Sequence, residues 1–112
     1  MNYCVEVSTR AELEIDQAFA WWAGHRSAEQ AERWYVGIYS EIATLSENPT
    51  RRPIAFENEV VDYELRELHF GLGRRPSHRA LFTVRADTVF VISVRHFAQQ
   101  PLSANELQTG DQ

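Results

Sequence analysis

The chain has 112 residues, of which 44% are hydrophobic and 24% are charged, and this composition indicates one folded domain rather than a disordered protein. No apolar run approaches the roughly 20 residues that span a bilayer, and the start of the chain lacks the basic and apolar stretches of a signal peptide. We therefore expect a cytoplasmic protein that does not enter a membrane. The single cysteine, Cys4, excludes an internal disulfide and a multi-cysteine zinc module, and we expect it to be a small buried residue rather than a nucleophile.

The net charge of −5 is divided unevenly along the chain. Residues 1–48 hold three arginines and eight acidic residues, whereas residues 65–99 hold six arginines and two acidic residues. All eleven basic residues are arginine, which excludes mechanisms that need a lysine. An acidic total argues against a protein that binds nucleic acid over its whole surface. The uneven distribution is either scatter in a small sample or the sign of a basic working surface in the second half.

The first half of the sequence predicts a short strand and two helices. Residues 3–8 alternate between apolar and polar side chains, which is the period of a strand. Thr9–Glu12 fits a capping box that begins a first helix, and Gly24 is a natural end for it. Ser27–Gln30 offers a second capping box for a longer helix, which Asn48–Pro49 ends. The short connection predicts that the two helices fold back as an antiparallel hairpin.

The second half predicts three further strands. Residues 50–62 show no period and indicate a loop, after which residues 63–70, 79–85 and 89–97 form an antiparallel meander. Residues 99–112 are polar and predict a frayed tail. The expected fold class is α+β, with an N-terminal strand, an antiparallel helical hairpin and a three-stranded antiparallel meander that completes one sheet.

We place the domain boundary at residue 98, so that residues 1–98 form a single domain. Both faces of its last strand are apolar, with Val89, Val91 and Ser93 on one side and Phe90, Ile92 and Val94 on the other. The helical hairpin can cover one face. The second face is covered either by loop 50–62 and the tail or by a partner polypeptide.

The sequence contains no metal-ligand spacing, nucleophile elbow or glycine-rich phosphate loop, so we predict neither a metal nor a cofactor. His69, His78 and His96 could approach one another at one end of the meander, although ordinary surface histidines are the simpler interpretation. Arginines are the remaining candidates, because a guanidinium group binds carboxylates and phosphates through two hydrogen bonds. For any single arginine, pairing with a neighbouring acid is the simpler interpretation. The candidates, together with one histidine, are Arg66, Arg74, Arg75, Arg79, Arg95 and His96.

The order of these elements resembles the RelE/ParE toxin superfamily, and most closely a ParE-type toxin of a type II toxin–antitoxin module. The resemblance covers about residues 3–98. It rests on Ala31 and Tyr35 in the second helix and on the segments Leu45–Pro49, Leu65–Leu68, His78–Val84 and Val89–His96.

The superfamily implies two activities on one fold. RelE-like members cleave messenger RNA on the ribosome, with basic residues on strand two, an arginine in strand three, and arginine and tyrosine groups near the C-terminus. ParE-like members inhibit DNA gyrase and lack that set. Here the strand-three arginine is Arg79, but the strand-two positions are Glu64 and Arg66, and no tyrosine follows Tyr63. These departures and the negative net charge favour the ParE-like branch, and His96 is the feature most like it.

The resemblance therefore implies a toxin that inhibits DNA gyrase and is neutralised by a cognate antitoxin, with a higher-order toxin–antitoxin oligomer as one option. It implies no direct sequence-specific binding to nucleic acid. Target or antitoxin contacts are expected at the six candidates above, with Arg79 as first choice. Antitoxin contacts are expected at Phe90, Ile92 and Val94. Two alternatives stay open. One is a ribosome-dependent messenger RNA endoribonuclease that uses Arg66, Arg79, Arg95 and His96, and the other is a non-toxic binding domain of the same fold.

Overall fold

A computed structural model describes residues 2–109, and side chains as far as residue 107. The helices and strands, in chain order, are β1 (Cys4–Val7), α1 (Thr9–His25), α2 (Ala28–Ala43), β2 (Arg66–Phe70), β3 (His78–Arg85), β4 (Thr88–His96) and α3 (Ala104–Thr109). Short 3₁₀ helices lie at Thr44–Ser46, Pro49–Arg51 and Phe56–Val60. No helix within this part of the chain has both the length and the apolar character that crossing a membrane requires.

The four strands form one sheet in the order β1-β4-β3-β2. β1 runs parallel to β4, whereas the other two pairs are antiparallel, so the predicted meander and the added N-terminal strand are confirmed. β1 lies at the edge of the sheet. Cys4, the first residue of this strand, is exposed, so the expectation that it is buried is wrong.

Both helices begin with serine caps, although α1 is shifted by one residue from the prediction. Ser8 rather than Thr9 caps α1, since its Oγ accepts the amide proton of Ala11 at 3.0 Å. The same hydroxyl donates to the Ile92 carbonyl oxygen at 2.8 Å, which ties the start of the helix to the sheet. Ser27 caps α2 as predicted. α1 continues past Gly24, where φ is not positive, and ends at His25.

The helical hairpin covers one face of the sheet. Trp34, Ile38 and Ile42 recur every four residues along α2, so their side chains lie on one side of the helix and are buried there. They pack in one cluster with sheet residues such as Leu68 and Phe82. This cluster is the main hydrophobic core.

A β-bulge in β4 changes which residues share a face. Leu81 pairs with Ser93 and Phe82 pairs with Val91, so Ile92 is an extra residue on β4. Beyond the bulge the alternation is reversed, and Val94 packs in the main core while Ile92 packs on the opposite face. The expectation that Val94 shares an open face with Phe90 and Ile92 is therefore wrong.

The end of the chain covers the second face of the sheet. Leu102 and Leu107 are 3% and 1% exposed and pack with Leu65, Leu81 and Ile92. The expectation of a frayed tail is thus wrong for residues 102–107, and cover of the second face by the chain itself is the alternative that the structure confirms. Residues 110–112 of the predicted tail lie outside the described residues.

Candidate functional site

Arg79, the first candidate of the sequence analysis, lies at the centre of a buried ion-pair cluster with Glu57 and Glu67. Its Nη1 donates to Oε1 of Glu57 and to Oε1 of Glu67, both at 2.9 Å, and its Nη2 donates to Oε2 of Glu57. Arg79 is 6% exposed and Glu57 is 1% exposed. Arg79 is therefore not an exposed cation, because two carboxylates hold its guanidinium below the surface.

Three separate segments build this cluster, which we call the arginine cluster. Arg79 is on β3 and Glu67 is on the adjacent strand β2. Glu57 is in the 3₁₀ helix Phe56–Val60, which belongs to residues 50–62, and we call these residues the arm. Glu57 Oε2 also accepts the amide proton of Leu102 at 3.0 Å, which joins the chain end to the cluster. The cluster therefore fixes the arm, the sheet and the C-terminal segment in one arrangement.

The electrostatics of the cluster favour the charged forms. Burial by itself would raise the pKa of Glu57, but the hydrogen bonds from Arg79 and from the Leu102 amide outweigh it and hold that pKa below its ordinary value. The hydrogen bond to Glu57 raises the pKa of Arg79 above its ordinary value. Both groups are charged at neutral pH, and each satisfies the other.

Arg66 and Arg95 are also engaged within the chain. Arg66 donates Nε to Glu64 at 3.0 Å and Nη1 to the Arg52 carbonyl oxygen. Arg95 is the cross-strand neighbour of Arg79, and its Nη2 donates to the Gln100 carbonyl oxygen at 2.6 Å. Neither is an unengaged surface cation.

Arg74 and Arg75 are the candidates that stay exposed. They lie in the turn between β2 and β3 and have no ion pair with any residue in the described range 2–109. His96 is exposed at the end of β4 and faces His78 with 5.0 Å between the ring centroids. The six sequence candidates therefore do not form one site.

A cleft of about 580 Å³ lies at the end of the sheet where β3 begins and β4 ends, and we call it the sheet-end cleft. Its wall on the helical side comes from the second half of α1, including Trp21 and Trp22, and its rim includes Arg26. The sheet contributes His78 and His96. Sequence reasoning proposed that histidines could meet at this end but gave no indication of a cleft.

His78 is a buried histidine in the wall of this cleft. Its ring packs 4.8 Å from the ring of Trp34, and its Nδ1 lies 2.8 Å from Ser77 Oγ. Burial, with a smaller contribution from the charge of His96, lowers its pKa to about 4, so the ring is neutral at pH 7. Within the described residues, no group of three or more histidine, cysteine and carboxylate side chains is arranged to hold a metal ion.

Glu57 is the member of the arginine cluster that the sequence did not indicate. It lies in the stretch of residues 50–62 that was predicted to be a loop without period. The general expectation that an arginine pairs with a nearby acid was correct for Arg79. The sequence nevertheless contained no signal for which acid, because Glu57 is 22 residues away along the chain.

Comparison with known proteins first defines the class by its fold. The chromosomal ParDE TA system from P. aeruginosa superimposes on this chain with a TM-score of 0.67 at 14% sequence identity, covering 84% of this chain and 95% of that chain. At that identity the likeness shows a shared α+β fold. A comparison with curated proteins gave no significant match.

The sequence itself then defines the family. Residues 5–101 match the family model described as ParE toxin of type II toxin-antitoxin system, parDE. The chain therefore belongs to the ParE toxin family, and the predicted resemblance is confirmed. The matched range runs from β1 to the beginning of the C-terminal segment that covers the second face.

Proposed function

We propose that this ParE-type toxin inhibits DNA gyrase in the cytoplasm and is neutralised by a cognate antitoxin. The observation that carries the proposal is the burial of Arg79 between Glu57 and Glu67. The resemblance to the superfamily places this arginine at the position that the RNA-cleaving branch uses on strand three. The burial of Arg79 therefore bears directly on the choice between the RNA-cleaving branch and the gyrase-inhibiting branch.

An RNA-cleaving site needs a cation that faces the phosphate and groups that move protons. Both terminal nitrogens of Arg79 already bind carboxylate oxygens. A phosphate placed beside Arg79 would stand next to the negative charges of Glu57 and Glu67, and this repulsion disfavours binding. Arg79 therefore serves the fold rather than phosphate chemistry.

The remaining positions of the RNA-cleaving set support the same conclusion. Glu64 stands at a position where that branch has a basic residue, and it forms an ion pair with Arg66. No tyrosine follows Tyr63 in the chain. The two exposed arginines among the sequence candidates, Arg74 and Arg75, lie instead in a turn outside the arginine cluster, where they can meet a protein surface.

The proposal is tested by two assays on the same purified protein. Gyrase supercoiling is measured with increasing toxin, and a cell-free translation reaction is examined for cleavage of the messenger RNA. We expect loss of supercoiling without messenger RNA cleavage, and recovery of supercoiling when the product of an adjacent antitoxin gene is added. Replacing Arg74 and Arg75 by alanine should weaken inhibition, whereas Arg51→Ala, which removes an exposed arginine outside the meander, should not.

The possible results separate the three functions. Codon-linked cleavage of the messenger RNA would contradict the proposal and support the ribosome-dependent endoribonuclease. Absence of both effects would also contradict it, and would support a non-toxic binding domain. Inhibition of gyrase that the antitoxin does not relieve would contradict the second half of the proposal alone.

A further inference from the structure

The sheet-end cleft has the size and the apolar floor of a binding site. Its volume of about 580 Å³ falls within the range of about 300–1,000 Å³ that is usual for ligand sites. Trp22, Ala18 and Val94 contribute apolar surface to it. Trp21 at its edge is 47% exposed, which is high for an indole on a folded domain. Entry of a bulky apolar group into this space would be favourable, because it removes apolar surface from water.

Two polar side chains of the cleft, His96 and Arg26, present hydrogen-bond donors. His96 Nδ1 accepts the amide proton of Ala98 at 2.9 Å, so the ring proton of His96 is on Nε2 and is free to be donated. The Arg26 guanidinium at the rim has donors only. An occupant that bonds to His96 and Arg26 must therefore supply acceptors.

The rim of the cleft carries a positive charge. Its carboxylate, Glu14, already accepts from Ser93 Oγ at 2.8 Å and from the Val94 amide at 2.9 Å, and it pairs with Arg10. Arg26, in contrast, lies 5.7 Å above the Trp21 ring and makes no ion pair within the described residues. The net charge left over at the rim is therefore positive.

We propose that the sheet-end cleft binds a segment of a partner protein in which a bulky apolar side chain stands next to carboxylate side chains. The apolar side chain occupies the floor against Trp22, and a carboxylate pairs with Arg26. Arg74 and Arg75, in the turn that leads to Ser77 of the cleft, extend the positive charge toward further acidic residues of the segment. This proposal goes beyond the choice of gyrase as target and does not depend on it.

A peptide fits these features better than a nucleic acid does. Binding of nucleic acid relies on several cations that follow a phosphate backbone, and this chain has a net charge of −5. The lining of the cleft combines Arg26 with apolar surface from Ala18, Trp22 and Val94. Such a site suits one apolar side chain with an acidic neighbour.

The three tryptophan indoles provide a site-resolved assay in the full chain. Their N–H signals are followed by proton–nitrogen correlation spectroscopy while a blocked hexapeptide, Glu-Leu-Glu-Glu-Phe-Glu, is added. We expect saturable shifts of the Trp21 and Trp22 signals with a Kd of about millimolar. One comparison peptide has lysine in place of each glutamate, and another has alanine in place of leucine and phenylalanine. Both should bind at least about tenfold more weakly.

Variants then locate the charge that the peptide uses. Arg26→Ala should weaken binding of the acidic peptide about tenfold, which is the loss expected for a charge-assisted hydrogen bond. This substitution keeps the backbone N–H of residue 26, which bonds to the Trp22 carbonyl oxygen at 2.9 Å and ends α1. Arg51→Ala is the matched control and should leave binding unchanged.

The following results would overturn the proposal. If the acidic peptide causes no shift of the Trp21 and Trp22 signals at ten times the expected Kd, the cleft does not bind it. Equal binding of the lysine peptide would contradict the charge argument. Equal loss of peptide affinity in Arg26→Ala and Arg51→Ala would show that the peptide does not bind at Arg26. Tighter binding of a single-stranded oligonucleotide at the same signals would replace the peptide by a nucleic acid. None of these results affects the supercoiling assay, so failure here is distinguishable from failure of the gyrase proposal.

Discussion

Replacing Glu57 by glutamine removes one charge from the arginine cluster while keeping the size of the side chain. Breaking a buried ion pair by removing one partner costs about 3–5 kcal/mol, because the other charge stays buried without compensation. Arg79 keeps Glu67, at 2.9 Å from its Nη1, so the lower part of this range applies. We expect the free energy of unfolding to fall by about 3 kcal/mol, which corresponds to about 12 °C in Tm for a domain of this size.

The measurement is urea unfolding at pH 7, followed by tryptophan fluorescence. Glu59→Gln is the matched control, because it makes the same change in an exposed residue of the same 3₁₀ helix. A surface change of this kind is expected to stay within about 0.5 kcal/mol of the unmodified chain. Arg79→Met should cost much less in the Glu57→Gln background than alone, since the two substitutions remove the same interaction. If Glu57→Gln is no worse than Glu59→Gln, the cluster does not stabilise the fold and the reasoning is refuted.

The same variant predicts a dependence on pH with a defined sign. The pKa of Glu57 is lowered in the folded chain, so its contribution to stability is complete above the pKa of an unfolded glutamate, about 4.3. The contribution is lost as the pH falls through the lower pKa of the folded state. The difference in stability between the unmodified chain and Glu57→Gln should therefore shrink below about pH 4. A difference that is constant from pH 7 to pH 3 would show that charge is not its cause.

Three further predictions concern packing and titration. Gly37→Ala should destabilise the chain by about 1–3 kcal/mol in urea unfolding, because the new Cβ would lie 2.3 Å from Phe70 Cζ. Gly24→Ala has open space around the new Cβ and should stabilise α1 by up to about 1 kcal/mol. Similar effects of the two substitutions would contradict the packing argument. The unmodified chain should lose about 3 kcal/mol of its free energy of unfolding as the pH falls from about 6.5 to 4, because the imidazole of His78 binds a proton in the unfolded chain, whereas the buried ring has a pKa of about 4. His78→Asn should abolish this loss. An unchanged pH profile in the variant would contradict the prediction. Leu107→Ala should cost about 2–4 kcal/mol and raise hydrogen exchange at Leu102, whereas a frayed tail would show no change in either.

The elements of the fold could be predicted because local patterns determine them. The apolar stripe of α2, with Trp34, Ile38 and Ile42, has the helical period, and Ser27 is a serine at the place where a helix needs a cap. The order of strand, hairpin and meander then left few topologies, and one of them is the observed sheet. The boundaries of the strands were predicted to within a few residues for the same reason.

The faces of β4 could not be predicted beyond residue 91. Alternation assigns side chains to faces only while the pairing stays regular, and the extra residue Ile92 reverses the assignment of Val94. Whether a strand has a bulge depends on the twist of the whole sheet, which a local pattern does not contain. The cover of the second face was missed for a related reason, since Leu102 and Leu107 are two apolar residues in a polar stretch without period.

The sequence by itself determined the fold class and the family, and it supplied a set of candidate arginines. Those properties follow from residue order, because helix and strand periods and family motifs are read along the chain. Only the tertiary structure decided which arginines are free. Arg79 and Glu57 are 22 residues apart, and a buried ion pair between them depends on where the arm folds against the sheet. The same packing left Arg26, Arg74 and Arg75 exposed and formed the cleft beside Trp21, so the surface on which both proposals rest is a property of the folded chain.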